Sequence, residues 1–582
     1  ERLKKSVKKQ RYGLVWMDVP EAFEDDVENK LPILKEVPEL AIKNNDGKTT
    51  NILIEGDNYH ALTCLNYTHK GKIDVIYIDP PYNTGSDGFR YKDKRILDKY
   101  PDGTEVPKDH PFRHGYWLSF MQKRLELAKD VLKDSGVIFI SIDYNEFAQL
   151  KLLCDEIFGN ENFVSVISRL MKSGGNKGEY FSPNIEYILV YAKNLNNLKE
   201  FRIPLEDEYI EKIYSKIEKT GDRKGEKYRE MGLYQAGLDI RPNQRYWIKC
   251  PDGSFVIPPG KSMPKPIKQG ERIKPLTSDG VYRWIYSRYL EEYKKGNIVF
   301  KKTKTSSLIN QEGKKSQWNI YTKIWLSDRV ESGRVPVNYI GDFENRKSSQ
   351  ELKNLDIDFQ FAKPTGLIKH LIKITNNDNK IIVLDFFAGS GTTGHAVVDL
   401  NLSDNGTRQF ILVSNNDEVV NGKTHKIVTD ICYPRIKRVL NGFKKQKALG
   451  GSMKYYKTAF IGKNSILNAT DQDKIELAHN AGELLAIAEN TLELTKQNKF
   501  YQLFEDGNKE KYTAVYFREE LDKFDEFIEI VKKLKKQTAV YIFSWGNEED
   551  IEEFDDIEQI KIKTIPLPIL EIYKQIYNLS TE

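Results

Sequence analysis

The run Lys72-Ile73-Asp74-Val75-Ile76-Tyr77-Ile78 is short, apolar and rich in β-branched residues, and it stops at Asp79-Pro80-Pro81-Tyr82. Its composition predicts a buried strand. Proline fixes φ and has no backbone N–H to pair, so two prolines end the strand and send the chain into a stiff turn. In an open α/β sheet, ligands bind at the carboxyl ends of the strands. An acid, rigid carbonyls and an aromatic ring are therefore expected together at one binding edge.

The surrounding chain supplies the sheet. Upstream, the stretch from Asn51 reads as a strand ending in the Gly56-Asp57 turn, and Tyr59–Tyr67 as a short helix. Residues 84–115 carry few apolar repeats, a length usually kept for a functional loop. Trp117 through Leu132 has the spacing of one amphipathic helix. A buried strand follows at Gly136–Ile142, a helix at Asn145–Phe158 and a strand at Ile185–Ala192. The rhythm breaks between about 195 and 350, then resumes with helix 364–374, strand 380–386, helix 392–400 and strand 408–414. Strands alternating with helices predict a mostly parallel, doubly wound α/β sheet. Further on, one long helix through Ile475–Lys496 and strands near 512–517, 539–545 and 560–565 predict a small separate C-terminal α/β domain.

With 582 residues, of which 39% are hydrophobic and 30% charged, the chain is expected to be a soluble protein of several domains. No apolar run suggests a membrane span, and the Lys-rich start has no secretory apolar core. Cys64, Cys154, Cys250 and Cys432 are far apart and form no C-x-x-C pair, which favours a reducing cytoplasm and argues against a structural metal. The net charge of +5 is unevenly spread. Residues 201–350 hold 30 Lys/Arg against 19 Asp/Glu, whereas residues 441–582 hold 20 against 25. A basic middle with interleaved aromatics (Arg245, Tyr246, Trp247, Arg283, Trp284, Arg288) is a footprint expected for nucleic acid, although a charge surplus can equally be a solvated face.

A second stretch, Ile381-Ile382-Val383-Leu384-Asp385-Phe386-Phe387-Ala388-Gly389-Ser390-Gly391-Thr392-Thr393-Gly394, runs from an apolar strand through a glycine-rich turn into a helix. Gly389, Gly391 and Gly394 satisfy the dinucleotide pattern, so a nicotinamide or flavin cofactor fits the turn as well as S-adenosylmethionine does. The Asp79 turn decides between them. An exocyclic amine conjugated to an aromatic ring is a poor nucleophile. Acceptors aimed at its protons, here the Asp79 carboxylate and the Pro80 carbonyl, localise its lone pair toward an incoming methyl group. Tyr82 offers a face for a base removed from its stack.

These two motifs together resemble the amino-methylating DNA methyltransferases, in the β-type order with the catalytic motif first and a basic insert between. Ile54–Asn58, Ile73–Gly85, Gly136–Asp143 and Glu186–Lys193 extend the resemblance to the modification subunits of type III restriction–modification systems. The resemblance implies a Rossmann-like S-adenosylmethionine-dependent fold. Its expected parts are an N-terminal arm at 1–50, a catalytic half at 51–194, an inserted recognition domain at 195–350, a cofactor half at 351–450 and the C-terminal domain at 451–582. Asp79, Pro80, Pro81 and Tyr82 would hold a target adenine, since Ser in the first position more often marks cytosine-N4 enzymes. Asp57, Lys363, Pro364, Asp385, Phe387, Ala388, Gly389, Ser390, Gly391, Thr392 and Asp417 would hold the cofactor. Phe89, Arg90, Tyr91, Arg245, Arg283 and Arg288 are candidate DNA contacts. The implied activity is DNA adenine-N6 methylation. RNA adenine methylation, or service chiefly as the recognition subunit of a helicase–nuclease, stands as the alternative. Implied partners are double-stranded DNA, a second copy of the chain and a restriction subunit.

Overall fold

A computed structural model describes residues 31–44, 46–84, 114–174, 180–205, 207–330, 333–359, 361–375, 378–416, 418–420, 423–462, 469–517, 523–543, 554, 557–565 and 567–576. The chain divides into two compact units, Arg202–Pro336 and everything on either side of it.

The larger unit is built on a ten-stranded sheet. Its elements in chain order are β1 (Leu31–Glu36), β2 (Thr50–Glu55), α1 (Asn58–Thr68), β3 (Ile73–Ile78), α2 (Gly115–Val131), β4 (Leu132–Ile142), α3 (Phe147–Phe158), β5 (Phe163–Leu170), β6 (Ile185–Ala192), β7 (Tyr339–Ile340), α4 (Asn345–Asn354), α5 (Thr365–Ile374), β8 (Ile382–Asp385), α6 (Thr392–Asp404), β9 (Gln409–Ser414), α7 (Tyr433–Asn441) and β10 (Ser452–Ile461). The spatial order is β1-β10-β2-β9-β8-β3-β4-β6-β5-β7. From β10 to β4 every neighbouring pair is parallel. β1 and β6 run antiparallel to the strands beside them. The fold is α/β and Rossmann-like with a permuted chain order: β8, from beyond the insert, lies directly against β3.

The parallel centre explains the unbroken apolar runs. Every residue of β3 is buried, so both faces of the strand are covered, as is usual for parallel sheets. Ile76 and Ile78 enter the large core cluster, while Val75 and Tyr77, pointing the other way, are buried on the opposite face.

The C-terminal region departs from the expected boundary at 451. Ser452–Ile461 is not the start of a separate domain but a strand of the main sheet, parallel to β2 and antiparallel to β1. The long helix expected through 475–496 is two helices, Asp471–Asn480 and Gly482–Glu489, followed by a strand at Glu493–Gln497. Asn490 adopts the left-handed conformation that stops the second helix. A five-stranded sheet follows, comprising Glu493–Gln497, Tyr501–Glu505, Lys511–Tyr516, Gln537–Phe543 and Ile560–Ile565. Ala539, Tyr541, Ile569 and Tyr573 share one hydrophobic core with Leu31, Leu62 and Leu65. The Tyr573 hydroxyl donates to the Pro32 carbonyl at 2.9 Å. This region therefore belongs to the same compact body as the main sheet.

The smaller unit, Arg202–Pro336, holds a four-stranded antiparallel sheet and a three-stranded one. Tyr246, Ile248, Tyr282, Tyr289 and Ile320 form its core. Much of the aromatic component of the basic stretch is thus interior. Arg245 is interior too, which overturns its reading as a DNA contact. It is fully buried, and its guanidinium donates to the carbonyls of Ser262, Pro258 and Gly280 at 2.7–2.8 Å, with Asp279 beside it. Arg283 is partly committed in the same way, donating to the Gly232 carbonyl at 3.0 Å and to the Gln235 side chain. Arg288 is exposed, its guanidinium 4.8 Å over the Trp284 ring.

Candidate active site

Parallel pairing brings the carboxyl ends of β2, β9, β8 and β3 to one edge, and backbone contacts tie the ends together. Gly56 N–H donates to the Ser414 carbonyl at 2.9 Å and Ala388 N–H to Val413 at 3.0 Å. Asn58 Nδ2 donates to the Phe386 carbonyl at 2.9 Å. Gly56 is required where it stands: its φ is +152°, and a Cβ would lie 1.9 Å from Thr458 Oγ1. These ends enclose a cleft of about 1060 Å³, including its open mouth, walled by Asp57, Asp79, Lys363, Asp385, Phe387 and Gly389 among others.

Asp79 sits on that wall in a crowd of donors. Lys363 Nζ lies 2.7 Å from both its oxygens. The Tyr82 hydroxyl donates to Oδ1 at 2.8 Å and accepts from Lys363 at 2.9 Å. Behind them Glu186, 1% exposed, takes a hydrogen bond from Tyr82 at 3.3 Å and lies 3.7 Å from Lys363 Nζ. Arg169, the cross-strand neighbour of Glu186, neutralises it at 2.5 Å. Because β6 runs antiparallel to β4, its first residues lie at the same edge as the end of β3, which is how Glu186 reaches Asp79. Burial raises the Asp79 carboxyl above the ordinary carboxylate range, and the Lys363 charge opposes that shift. Burial first, and the Asp79 charge second, hold the Tyr77 and Tyr82 phenols well above their usual range, so both stay protonated.

The turn itself is pinned. Trp117, fully buried in α2, donates its indole N–H to the Pro81 carbonyl at 2.8 Å. Pro80 is buried, and Asn83 takes a left-handed φ of 56°. Its side chain donates to Glu146, as does the His114 ring at 2.5 Å.

On the neighbouring strand, Asp385 accepts from Thr393 Oγ1 at 2.5 Å and from Phe387 N–H at 3.0 Å. Burial pushes its carboxyl up to about 7, and those two hydrogen bonds hold it back from rising further. Phe387 packs against Phe120 with ring centroids 5.8 Å apart. Ser390 and Thr392 line the cleft, but Arg435, wholly buried, donates to both hydroxyls at 3.0 and 2.8 Å. Gly391 faces away from the cleft. Its left-handed φ of +76° and a Cβ position 3.0 Å from Cys432 Sγ make it a packing residue under the turn. Pro364 caps α5 and is likewise off the cleft wall. Asp57 caps α1 through Tyr59 N–H at 2.7 Å and pairs with buried Arg124 at 3.2 Å. Asp417, Phe89, Arg90 and Tyr91 lie outside the described residues.

The resemblance puts Lys363 with the cofactor, and the sequence alone assigns no role to Glu186, Arg169, Arg124 or Arg435. The signal was present in each case: a charged residue inside an apolar strand or on the apolar face of a helix, where burial is affordable only with a partner.

The sequence profile of the N6/N4 family described as DNA methylase matches residues 73–422, a span holding both turns and the insert between them. The chain belongs to that DNA methylase family. It is 34% identical over 409 residues to the type III restriction-modification enzyme EcoPI Mod subunit of Escherichia phage P1, covering 64% of this chain and 58% of that protein. It is 31% identical over 417 residues to the type II methyltransferase M.KpnI of Klebsiella pneumoniae, covering 68% of this chain and 89% of that protein. The chain spans less than two thirds of the length of the type III relatives it matches. Among solved structures, PvuII DNA methyltransferase (cytosine-N4-specific) aligns with 68% of this chain and 95% of its own at 12% identity and a TM-score of 0.30.

Proposed function

We propose that this member of the DNA methylase family transfers a methyl group from S-adenosylmethionine to N6 of adenine in DNA, as the modification subunit of a type III-like restriction–modification enzyme. The observation that carries the reading is the adjacency of β3 and β8. It sets the Asp79-Pro80 acceptors beside the Asp385–Ser390 turn, with one cleft common to both.

The cleft residues suit this cofactor, which carries a sulfonium and an ammonium charge. Asp57, Asp79 and Asp385 put carboxyl oxygens on the wall that can accept from the cofactor's N–H and O–H groups, and Phe387 offers a ring face of the kind that attracts cations. When bound, S-adenosylmethionine supplies a methyl group on a sulfonium. The chain aligns the amine with it: Asp79 and the Pro80 carbonyl accept the N6 protons, and Tyr82 supports the base. N6 would take the methyl group while the C–S bonding pair stays with the cofactor, and the proton lost from N6 would pass by way of the Asp79 acceptor to solvent. Alignment and fixed dipoles do the work, with no covalent enzyme intermediate.

The nucleic-acid substrate is supported by the basic surplus of the insert and by Tyr144, Tyr180 and Phe181, which are 67%, 84% and 91% exposed beside the catalytic edge. Adenine, rather than cytosine, rests on Asp at the head of the catalytic motif. The restriction partner and a second copy of the chain rest on resemblance to the type III subunits. The chain would be expressed in a host lacking DNA methylation, and its DNA digested to nucleosides and analysed by mass spectrometry. N6-methyladenine is the expected product. N4-methylcytosine instead would overturn the base assignment, and neither product would overturn the activity.

A further inference from the structure

The Asp79 carboxylate has about four acceptor sites, and in this structure three are taken. Oδ1 receives the Tyr82 hydroxyl and Lys363 Nζ, and Oδ2 receives Lys363 Nζ. Lys363 Nζ also lies 5.0 Å from the centre of the Tyr82 ring. An amine that donates to Asp79 and rests against Tyr82 is what the reading above requires of the target adenine. The lysine ammonium therefore makes the same contacts as the substrate amine.

Lys363 is 8% exposed, so it has little access to water if displaced. It does have a second acceptor within reach. Glu186 Oε2 is 3.7 Å from Nζ, just outside hydrogen-bond distance. Glu186 is already neutralised on its other oxygen by Arg169, which in turn is fixed by the Phe343 carbonyl at 2.5 Å and Asn345 Oδ1 at 2.7 Å. Two carboxylates and two cations balance, so a shift of Nζ by about 1 Å toward Glu186 keeps the cluster neutral and frees Oδ2.

We propose that Lys363 is a positioning residue that holds the place of the target amine in the base-free enzyme and withdraws to Glu186 as the base enters. The inference rests on the methyltransferase reading and goes beyond it. Lys363 keeps Asp79 ionised and aimed while no base is bound, and it hands over one carboxylate oxygen without leaving the site. The exchange makes base entry a competition, so the lysine weakens DNA binding while raising the rate once the base is seated. Asp79 is faced by Lys363, Tyr82, Glu186, Tyr77 and Asp385, with Arg169 behind Glu186. Lys363 is the one cation of that set in direct contact with Asp79. Its removal therefore drives the carboxyl still higher, and the acid limb of the rate profile moves to higher pH.

The test uses the 582-residue chain, unmethylated genomic DNA and tritiated S-adenosylmethionine, with kcat and KM for DNA measured from pH 5 to 9 in wild type, Lys363→Met, Lys363→Arg and Glu186→Gln. For Lys363→Met the expectation is a kcat lower by about 10- to 100-fold, a lower KM for DNA, and an acid limb displaced to higher pH. Lys363→Arg should restore the wild-type acid limb. Glu186→Gln should raise KM, because the lysine loses the negative charge toward which it withdraws. Calorimetric cofactor binding checks that each variant is folded. A Lys363→Met enzyme with reduced kcat but unmoved KM and acid limb would overturn the proposal, since a packing defect alone predicts that pattern. Should Lys363→Met fail to fold, Glu186→Gln decides: a raised KM supports the exchange, an unchanged KM overturns it. Wild-type chain that methylates nothing overturns the functional reading itself, and this inference with it.

Discussion

Leu384 of β8 stands opposite Ile76 of β3 in parallel register, so Asp385 leaves the sheet beside Tyr77 and Asp79 follows two residues further on at the same edge. The two acids come from opposite sides of the inserted unit, and their environments differ. Asp79 is compensated by a cation, whereas Asp385 is held only by neutral donors.

That difference sets the pH dependence of stability. The folded carboxyl of Asp385 titrates near 7 against 3.8 for the free group. As pH rises between these values the unfolded chain loses this proton and the folded chain keeps it, so folding stability falls across the window and levels off above it. The stability of wild type relative to Asp385→Asn should therefore decline by about 3 kcal/mol from pH 4 to pH 7, read from denaturant midpoints. A difference independent of pH would refute the assignment.

Asp79→Ala should lower kcat by about 1000-fold or more while calorimetry shows cofactor affinity little changed. Retained activity in that variant would remove Asp79 from the chemistry.

Arg435 supports the glycine turn from beneath, donating to Ser390, Thr392 and Thr365. Arg435→Met leaves those hydroxyls without their common donor and should cost about 3 kcal/mol of stability, together with weaker cofactor binding. Unfolding curves and calorimetry on the same preparation would separate the two effects.

Two arginines of the insert should behave oppositely. Arg245→Met should destabilise the insert, because the carbonyls it serves are buried with it. Arg288→Ala should leave stability unchanged and reduce the salt dependence of DNA binding by about one unit of slope. Binding isotherms at several salt concentrations, with melting curves, distinguish the cases.

The fold was legible where strands are buried on both faces. β3, β4, β8 and β9 read as continuous apolar runs, and the Pro and Gly turns mark their ends. β1 and β10 were not legible. Both are sheet members whose partners lie hundreds of residues away, and in β10 Lys454 and Lys457 break the apolar run because each is paired to an acid, Glu36 and Glu55 respectively. In the site, the acids were legible from motif and turn chemistry, but the cations that compensate them were not. Arg245 and Arg288 look alike in one dimension, and only the contacts show that one is internal scaffolding. Lys363 is placed with the cofactor only by resemblance, and its partner, Asp79, could not be read from spacing.

Phe201 and Val337, where the insert leaves and re-enters, both belong to the larger unit, and the strand that follows re-entry pairs with β5. The chain of the larger unit is therefore interrupted by an excursion that begins and ends within one scaffold. Under the function proposed above, such an arrangement lets the excursion be exchanged as a cassette: a chain carrying a relative's insert between these two points should then mark a different sequence with the same chemistry.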